Sequence, residues 1–410
     1  MLVFMIKIHA GSIGFRVQIW MLKADHEHKS NWLDVPGHHA AENPCPHCDC
    51  DTSGTDKSWA VVPPLKSWRS FMTMAEWYHW CDNVVVGGVK GKPPMLWFVA
   101  WEEGGLGLSF FMLWQDTLHV CDLGITNHVV ANTLVYMVES KMVAPRQSKE
   151  ARLNMIWREI QGAYREVGIK NQVGNLTMAM VNAKPDSDYP ELSSHIKGAQ
   201  TRSLTHAVCM VYANHAKIDV LKADYNIMDH EVWLVIKSLA TFYEVIMENM
   251  HQGNWNYSDH DCNVIEQSLH VMATMYKKLA WRYMNAEGPT WLSSVGPRWK
   301  WVPKHHHVLH IVEQARLQCM HLGWGYMSEG FMGTMKLVGE SCRNALKAAH
   351  RSQSICLKWG MGNTLMLRHC MQDGSAACML EVHGGDDDEH GDDGHDDAAS
   401  LFGDFAHEFM

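Results

Sequence analysis

The chain lacks the long apolar run that a membrane-spanning helix requires. Its apolar opening, MLVFMIKIHAGSIGFRVQIWMLKAD, is interrupted by Lys7, His9, Arg16 and Gln18, and no small-residue cleavage site follows it. Neither an anchor nor a signal peptide is expected. The stretch reads as a core strand reached with little preamble, as though an upstream part were missing. Cysteine is also sparse: 12 in 410 residues, tightly clustered only in CPHCDC, which excludes a disulfide scaffold and fits a reducing compartment. No Walker loop, no GxGxxG after a strand and no GxSxG elbow occurs. VVVGGVKGKPP (84–94) is rich in Gly and Lys but lacks P-loop spacing, so a loop is expected there.

Excess positive charge is missing as well. The formal net charge is −10, and its source is local. Residues 381–410 carry eleven of the 45 acids and no Lys or Arg, which leaves the body near neutral against 35 bases. The run GGDDDEHGDDGHDDAA is low-complexity and self-repelling, and a disordered, solubilising tail is expected. What the chain has in plenty is Trp (18), Met (28) and His (27). These serve packing, stacking and ligation alike, so they select no function by themselves.

Periodicity divides the remainder. FRVQIWML (15–22) alternates like a strand that ends near Asp25, and MLWFVAW (95–101) and LSFFMLW (108–114) are β-prone runs joined by EEGGLG. Residues 36–70 are loop-like, with PGHH, NPCPHCDCD and PP as breakers. From about residue 126 the pattern turns helical. EVWLVIKSLATFYEVIMENM (231–250) and DCNVIEQSLHVMATMYKKLAWRYM (261–284) repeat apolar residues three and four apart. Val264, Ile265, Leu269, Met272, Tyr276, Leu279 and Tyr283 form one packing stripe. PKHHHVLHIVEQARL and SEGFMGTMKLVGESCRNALKAA predict two more helices, the second with Ser328 as N-cap.

Three constellations could carry chemistry. Asp25 and Asp116 follow predicted strands and Glu329 opens a predicted helix. Three distant acids of this kind suit hard divalent cations, two of which can assist phosphoryl transfer. Asp122, Glu313 and Glu340 are alternatives for the third acid. CPHCDC supplies Cys45, Cys48 and Cys50, with His47 inside it and His38 and His39 upstream. Cys-x2-Cys is half of a tetrahedral zinc site, and His39 is the candidate fourth ligand beside the three cysteines. A reduced loop without metal is the alternative. KHHHVLH places His306 and His310 on one helix face, with His305 and His307 beside them. Core histidines and a separate metal site are both open readings there.

These blocks, in their order, resemble the catalytic region of CACTA-type (En/Spm-like) DNA transposases. MLKADHEHKSNWLDVPGHHAAENPCPHC resembles the strand, first acid and CPxC loop of that family. QDTLHVCDLGITNHVVANTL resembles its Asp–His element and following helix, matching Asp116 and His119. KHHHVLH followed by GWGYMSEGFMGTMKLV resembles the block with the late acid, here Glu329. The resemblance implies an α/β fold: an RNase H-like mixed sheet core with a large all-helical insertion and a disordered acidic C-terminal tail. It implies an N-terminal part of that core over 1–135 with the Cys-rich loop, a helical insertion over 136–300, a C-terminal helical part over 301–380 carrying the third acid, and the tail over 381–410. Asp25, Asp116 and Glu329 would then hold two Mg2+ or Mn2+ ions, with His119 orienting a carboxylate or touching phosphate. Metal-dependent cleavage and strand transfer on double-stranded DNA (transposon ends) would follow, in the nucleus, with a homo-oligomer allowed. The alternative is an inactive relative that binds nucleic acid or protein.

Overall fold

The computed structural model describes residues 3–11, 14–23, 44–71, 73, 75–77, 79, 85–86, 89–90, 113–181, 189–295 and 298–323, with backbone only for the strands before residue 91. Two compact units are distinguished, Met1–Glu329 and Gly330–Met410. All that follows concerns the first.

Its first two strands, β1 (Val3–Gly11) and β2 (Gly14–Lys23), pair antiparallel from Val3↔Lys23 to Gly11↔Gly14, with a bulge between Met5 and Ile6. β3 (Val85–Val86) and β4 (Val89–Lys90) make a separate two-residue ribbon. β5 (Leu113–Trp114) runs parallel to β2, Leu22 opposite Leu113 and Lys23 opposite Trp114. Of the two β-prone runs between 95 and 114, all but β5 lies outside the described residues.

Helices make up most of what remains. A π-helical turn (Leu118–Ile125) leads into α1 (Thr126–Glu139), then α2 (Lys149–Val167), α3 (Gly198–His215), α4 (Ile227–His251) and α5 (Asp259–Met284). The short α6 (Pro303–His306) and α7 (Val308–Ala315) follow. Local sequence sets the boundaries. The Ser148 hydroxyl accepts from the Ala151 N–H to start α2, and Gly168 ends it at φ 73°. Ser258 and Asp261 cap α5 reciprocally, each side chain accepting from the other's backbone N–H.

α1 is the centre of the packing. Every one of its residues except His128 is buried, the signature of a helix surrounded by others rather than lying on a surface. It packs against α2, α3 and α4, and α4 packs along α5 over the longest helix contact. On α5 the expected stripe is buried from Ile265 to Tyr283, with Val264 half-buried. Each such aliphatic or aromatic side chain stabilises the fold by about 1.5–3 kcal/mol. Two charges are buried with them: Arg282 donates two hydrogen bonds to the Glu231 carboxylate, at 2.6 and 2.9 Å.

This architecture overturns the expected α/β fold. An RNase H-like mixed sheet core is not what holds the described chain together; its buried core is assembled from helices and from the loop after residue 44. The physical reason lies in burial. Short β-prone runs around residues 15–22 and 95–114 suggested a sheet that the helices would decorate. The apolar area is instead concentrated in long three- and four-spaced stripes, which are satisfied only by packing on one another. The expected acidic tail lies outside the described residues.

Candidate metal centre

Residues 44–50, which include Pro44 and Pro46, fold as a knuckle against a facing segment, residues 69–71. The Phe71 N–H donates to the His47 carbonyl at 3.1 Å, and the Asp49 N–H to the Arg69 carbonyl at 3.1 Å. The Asp49 carboxylate accepts from the Arg69 N–H at 2.7 Å and from Lys57 Nζ at 3.1 Å. The His47 N–H turns inward to Cys45 Sγ at 3.4 Å. This holds the Cys45 and Cys48 sulfurs on the same side, and both residues are fully buried.

Opposite them stand His306, the last residue of α6, and His310, in the first turn of α7. Their Nε2 atoms are 3.1 Å apart. Cys48 Sγ lies 3.2 Å from His306 Nε2, and Cys45 Sγ lies 3.3 Å from His310 Nε2. All four donor atoms fall within 4.8 Å of one another. Zinc bonds of about 2.3 Å to sulfur and about 2.0–2.1 Å to nitrogen would separate tetrahedral donors by roughly 3.3–3.8 Å. The cluster has that size, and its two soft thiols and two imidazoles are the donor set zinc prefers. The chain therefore contains a Cys2His2 cluster able to bind zinc.

The outer nitrogens agree with this. His306 Nδ1 lies 3.1 Å from the Trp59 carbonyl, which can only accept, so that nitrogen carries the proton and Nε2 is left with its lone pair. His310 Nδ1 faces Glu313 Oε2 and Ser70 Oγ, each at 3.3 Å, and the Ser70 hydroxyl donates to the same carboxylate. Metal-bound histidines ordinarily have such carboxylate or carbonyl partners, which fix the ring and the tautomer.

Electrostatics shows what the pocket demands. Burial alone raises a thiol's pKa, yet hydrogen bonds with Cys48 and Cys50 and the charges of His310 and His307 hold Cys45 well below its ordinary range. Burial pushes the Cys48 thiol well up, and Cys45 and Cys50 push it further. His306 falls to about 4 because it is buried. His310 rises to about 10, since the Cys45 thiolate and Glu313 outweigh its burial. One thiolate and one imidazolium thus face each other in a dry pocket; a divalent cation would displace the protons of Cys48 and His310 Nε2 and balance the charge of both sulfurs.

Cys45 and Cys48 thus belong to one site, as CxxC suggested, but their partners come from the far end of the described chain. Cys50 is buried beside them and contacts Cys45 without entering the four-donor set. His38 and His39 lie outside the described residues. CxxC reads as half of a zinc site, and KHHHVLH as core histidines or a separate metal site. That two incomplete halves of complementary type can make one whole was the missed signal.

The other two histidines of KHHHVLH have separate tasks. His307 Nδ1 accepts from the Gln115 amide at 3.0 Å and lies 3.9 Å from Cys45 Sγ. The rim of the metal cluster thereby touches the residue that follows β5. His305 packs edge-on to His128 at 4.9 Å between ring centroids.

Asp116 stands one residue beyond that contact and is buried. One carboxylate oxygen accepts from the Leu118 N–H at 3.0 Å, and the other pairs with His119 Nδ1 at 2.7 Å. The Asp-x-x-His spacing is thus a direct contact at the mouth of the π-helical turn. That turn closes through Gly124, where an added Cβ would stand 2.8 Å from the His119 carbonyl. Asp122 is elsewhere engaged, accepting from the Tyr243 hydroxyl at 2.6 Å with Arg202 at 3.6 Å, and Glu313 serves His310. Asp25, Glu329 and Glu340 lie outside the described residues, as do any two-ion contacts they would make.

No protein-family model, no curated protein and no solved structure matches this chain.

Proposed function

We propose that Cys45, Cys48, His306 and His310 hold one structural zinc ion, and that the scaffold it closes acts on DNA by metal-dependent phosphodiester cleavage and strand transfer. The carrying observation is the buried Cys2His2 cluster with both histidine Nδ1 atoms already committed to outer partners. A closed set of four protein ligands suits a structural ion, because catalytic zinc keeps a position open. Zinc would cross-link segments more than 250 residues apart and remove much of the freedom of the unfolded chain between them.

The DNA reading rests on the resemblance to CACTA-type transposases and on Asp116. That carboxylate follows a strand parallel to β2, and Lys23 and Trp114, which face each other across the pair, each stand two positions before an acid, Asp25 and Asp116. His119 would orient Asp116 through their 2.7 Å contact. Mg2+ or Mn2+ held by Asp25, Asp116 and Glu329 would supply the activation of water or a 3′-hydroxyl for attack on phosphorus. The DNA would be double-stranded transposon ends, and the place of action the nucleus.

A second reading, an inactive relative that binds DNA or protein, is favoured by the burial of Asp116 and the engagement of both its oxygens. The test is one preparation measured two ways. Elemental analysis should give one zinc per chain, with a tetrahedral Co2+ spectrum on replacement. Supercoiled DNA with Mn2+ should be nicked, and Asp116→Asn should abolish nicking without loss of zinc. DNA binding without any Asp116-dependent nicking supports the second reading. Absence of stoichiometric zinc refutes the metal centre.

A further inference from the structure

Directly after the metal knuckle, residues 54–65 lie against α5 and leave a groove between them. Its volume is 360 Å³, and Val62, Pro63, Pro64, Leu65, Thr274 and Lys277 contribute to its lining. The Thr274 hydroxyl donates to the Pro63 carbonyl at 3.0 Å, which ties the loop to the helix. The loop is tied to the metal centre as well, through the Trp59 carbonyl that receives His306 Nδ1.

The face of α5 that lines this groove with Thr274 and Lys277 continues beyond it. Thr274, Lys277, Trp281 and Met284 follow one another three or four positions apart, so they share one face of α5. Trp281 is 51% exposed, Met284 77% and, across the groove, Leu65 78%. Large apolar side chains in such a row are costly to leave in water and mark a contact surface. Lys277 lies among them half-buried, forms no ion pair among the described residues, and has its proton affinity lowered by burial alone. A second ammonium group, Lys66, sits at the loop end, 3.8 Å over the Trp68 ring. The surface therefore offers a half-exposed indole, an apolar floor and an ammonium group without an ion-pair partner among the described residues.

We infer that this groove binds a single-stranded segment of DNA, with a base stacked on Trp281 and a phosphate at Lys277. The inference rests on the DNA reading above and adds, beside the duplex ends, a single-stranded segment and the residues that take it. Positions four apart on a helix hold their Cβ atoms about 5–6 Å from one another, close enough for one nucleotide to reach both. A duplex hides its base faces inside the stack, whereas a single strand presents them beside its phosphates. An acidic peptide could satisfy Lys277 but has no need of the indole face.

The test is fluorescence anisotropy of a labelled oligo-dT on the zinc-loaded full chain. Trp281→Ala should weaken binding about tenfold or more, and Trp281→Phe should restore most of it. Lys277→Gln should weaken binding and flatten the plot of log affinity against log salt by about 0.7. Undiminished oligo-dT binding in both variants overturns the inference, as does no binding to the parent protein or displacement of oligo-dT by a poly-Glu peptide at equal concentration. Nicking of supercoiled DNA by the same variants separates the two claims. Loss of oligo-dT binding by proteins that never nick sinks the cleavage reading and leaves the groove standing.

Discussion

Cys45 and His310 are 265 positions apart in the chain, and Cys45 Sγ lies 3.3 Å from His310 Nε2. That contact joins a loop rich in turn-forming residues to a helix rich in apolar ones. Neither would be held there by its own local preferences, so the bond between them has to come from the chemistry of the two side chains.

Removing that chemistry should release the loop. Cys48→Ser or His310→Ala leaves three ligands, and chelation leaves none. Residues 44–71 should then become protease-sensitive, while the α4–α5 pair keeps its helical circular dichroism. Structural zinc in small domains contributes about 10 kcal/mol or more of folding free energy. A clear fall in thermal midpoint, reversed by added zinc in the parent protein only, is expected. Equal protease resistance with and without zinc would refute the role.

Glu313 and Ser70 act one step further out. Glu313→Gln keeps size and removes the charge that holds the proton on His310 Nδ1. Loss of such a partner lowers metal affinity about 10–100-fold. Competition against a zinc-chelating dye measures this, and Ser70→Ala should give a smaller effect in the same direction. Unchanged affinity in Glu313→Gln would show that the carboxylate does not support the ligand.

Gly124 permits the π-helical turn. Its φ is −102° and ψ −110°, outside the helical region, and a Cβ there would press on the His119 carbonyl. Gly124→Ala should destabilise the protein by about 1–3 kcal/mol in urea unfolding. The Asp116–His119 pair should shift with it, so the His119 ring protons should move in an NMR spectrum. A neutral substitution would mean that the turn readily relaxes.

His128 gives an acid dependence whose sign is set. Burial lowers its pKa below the ordinary histidine value, against the opposing pull of Glu191 and the Pro190 carbonyl. The unfolded chain therefore takes up this proton first. The contribution of the neutral ring is present above the unfolded value and is lost progressively as pH falls from there through the lower folded value. Urea midpoints should drop between about pH 7.5 and about pH 5.5. His128→Gln should show a smaller drop, and the difference between variants removes the acid sensitivity that the metal site contributes equally to both. Parallel pH profiles would exclude His128.

Much of the helical body was legible. The stripe from Ile265 to Tyr283 repeats within a few residues, and a helix face can be read from spacing alone. The Asp116–His119 contact was legible for the same reason, since three positions span less than one turn. The sheet expectation failed because a β-prone run of seven residues does not say whether a neighbouring strand will cover it. Of the metal ligands, the two cysteines were legible and His306 and His310 were not. His39 was the near choice in sequence, and nothing local distinguishes it from His306 or His310.

The sequence by itself therefore determined the helices, their apolar faces, the presence of a Cys-x2-Cys knuckle and the acid–histidine pair after β5. Only the tertiary structure decided which histidines face the two sulfurs, which charge is neutralised by which partner, and that helices rather than a sheet enclose the core. The reason is physical. Helix periodicity and capping are properties of a few adjacent residues, whereas a metal site and a core are set by how segments hundreds of residues apart exclude water together.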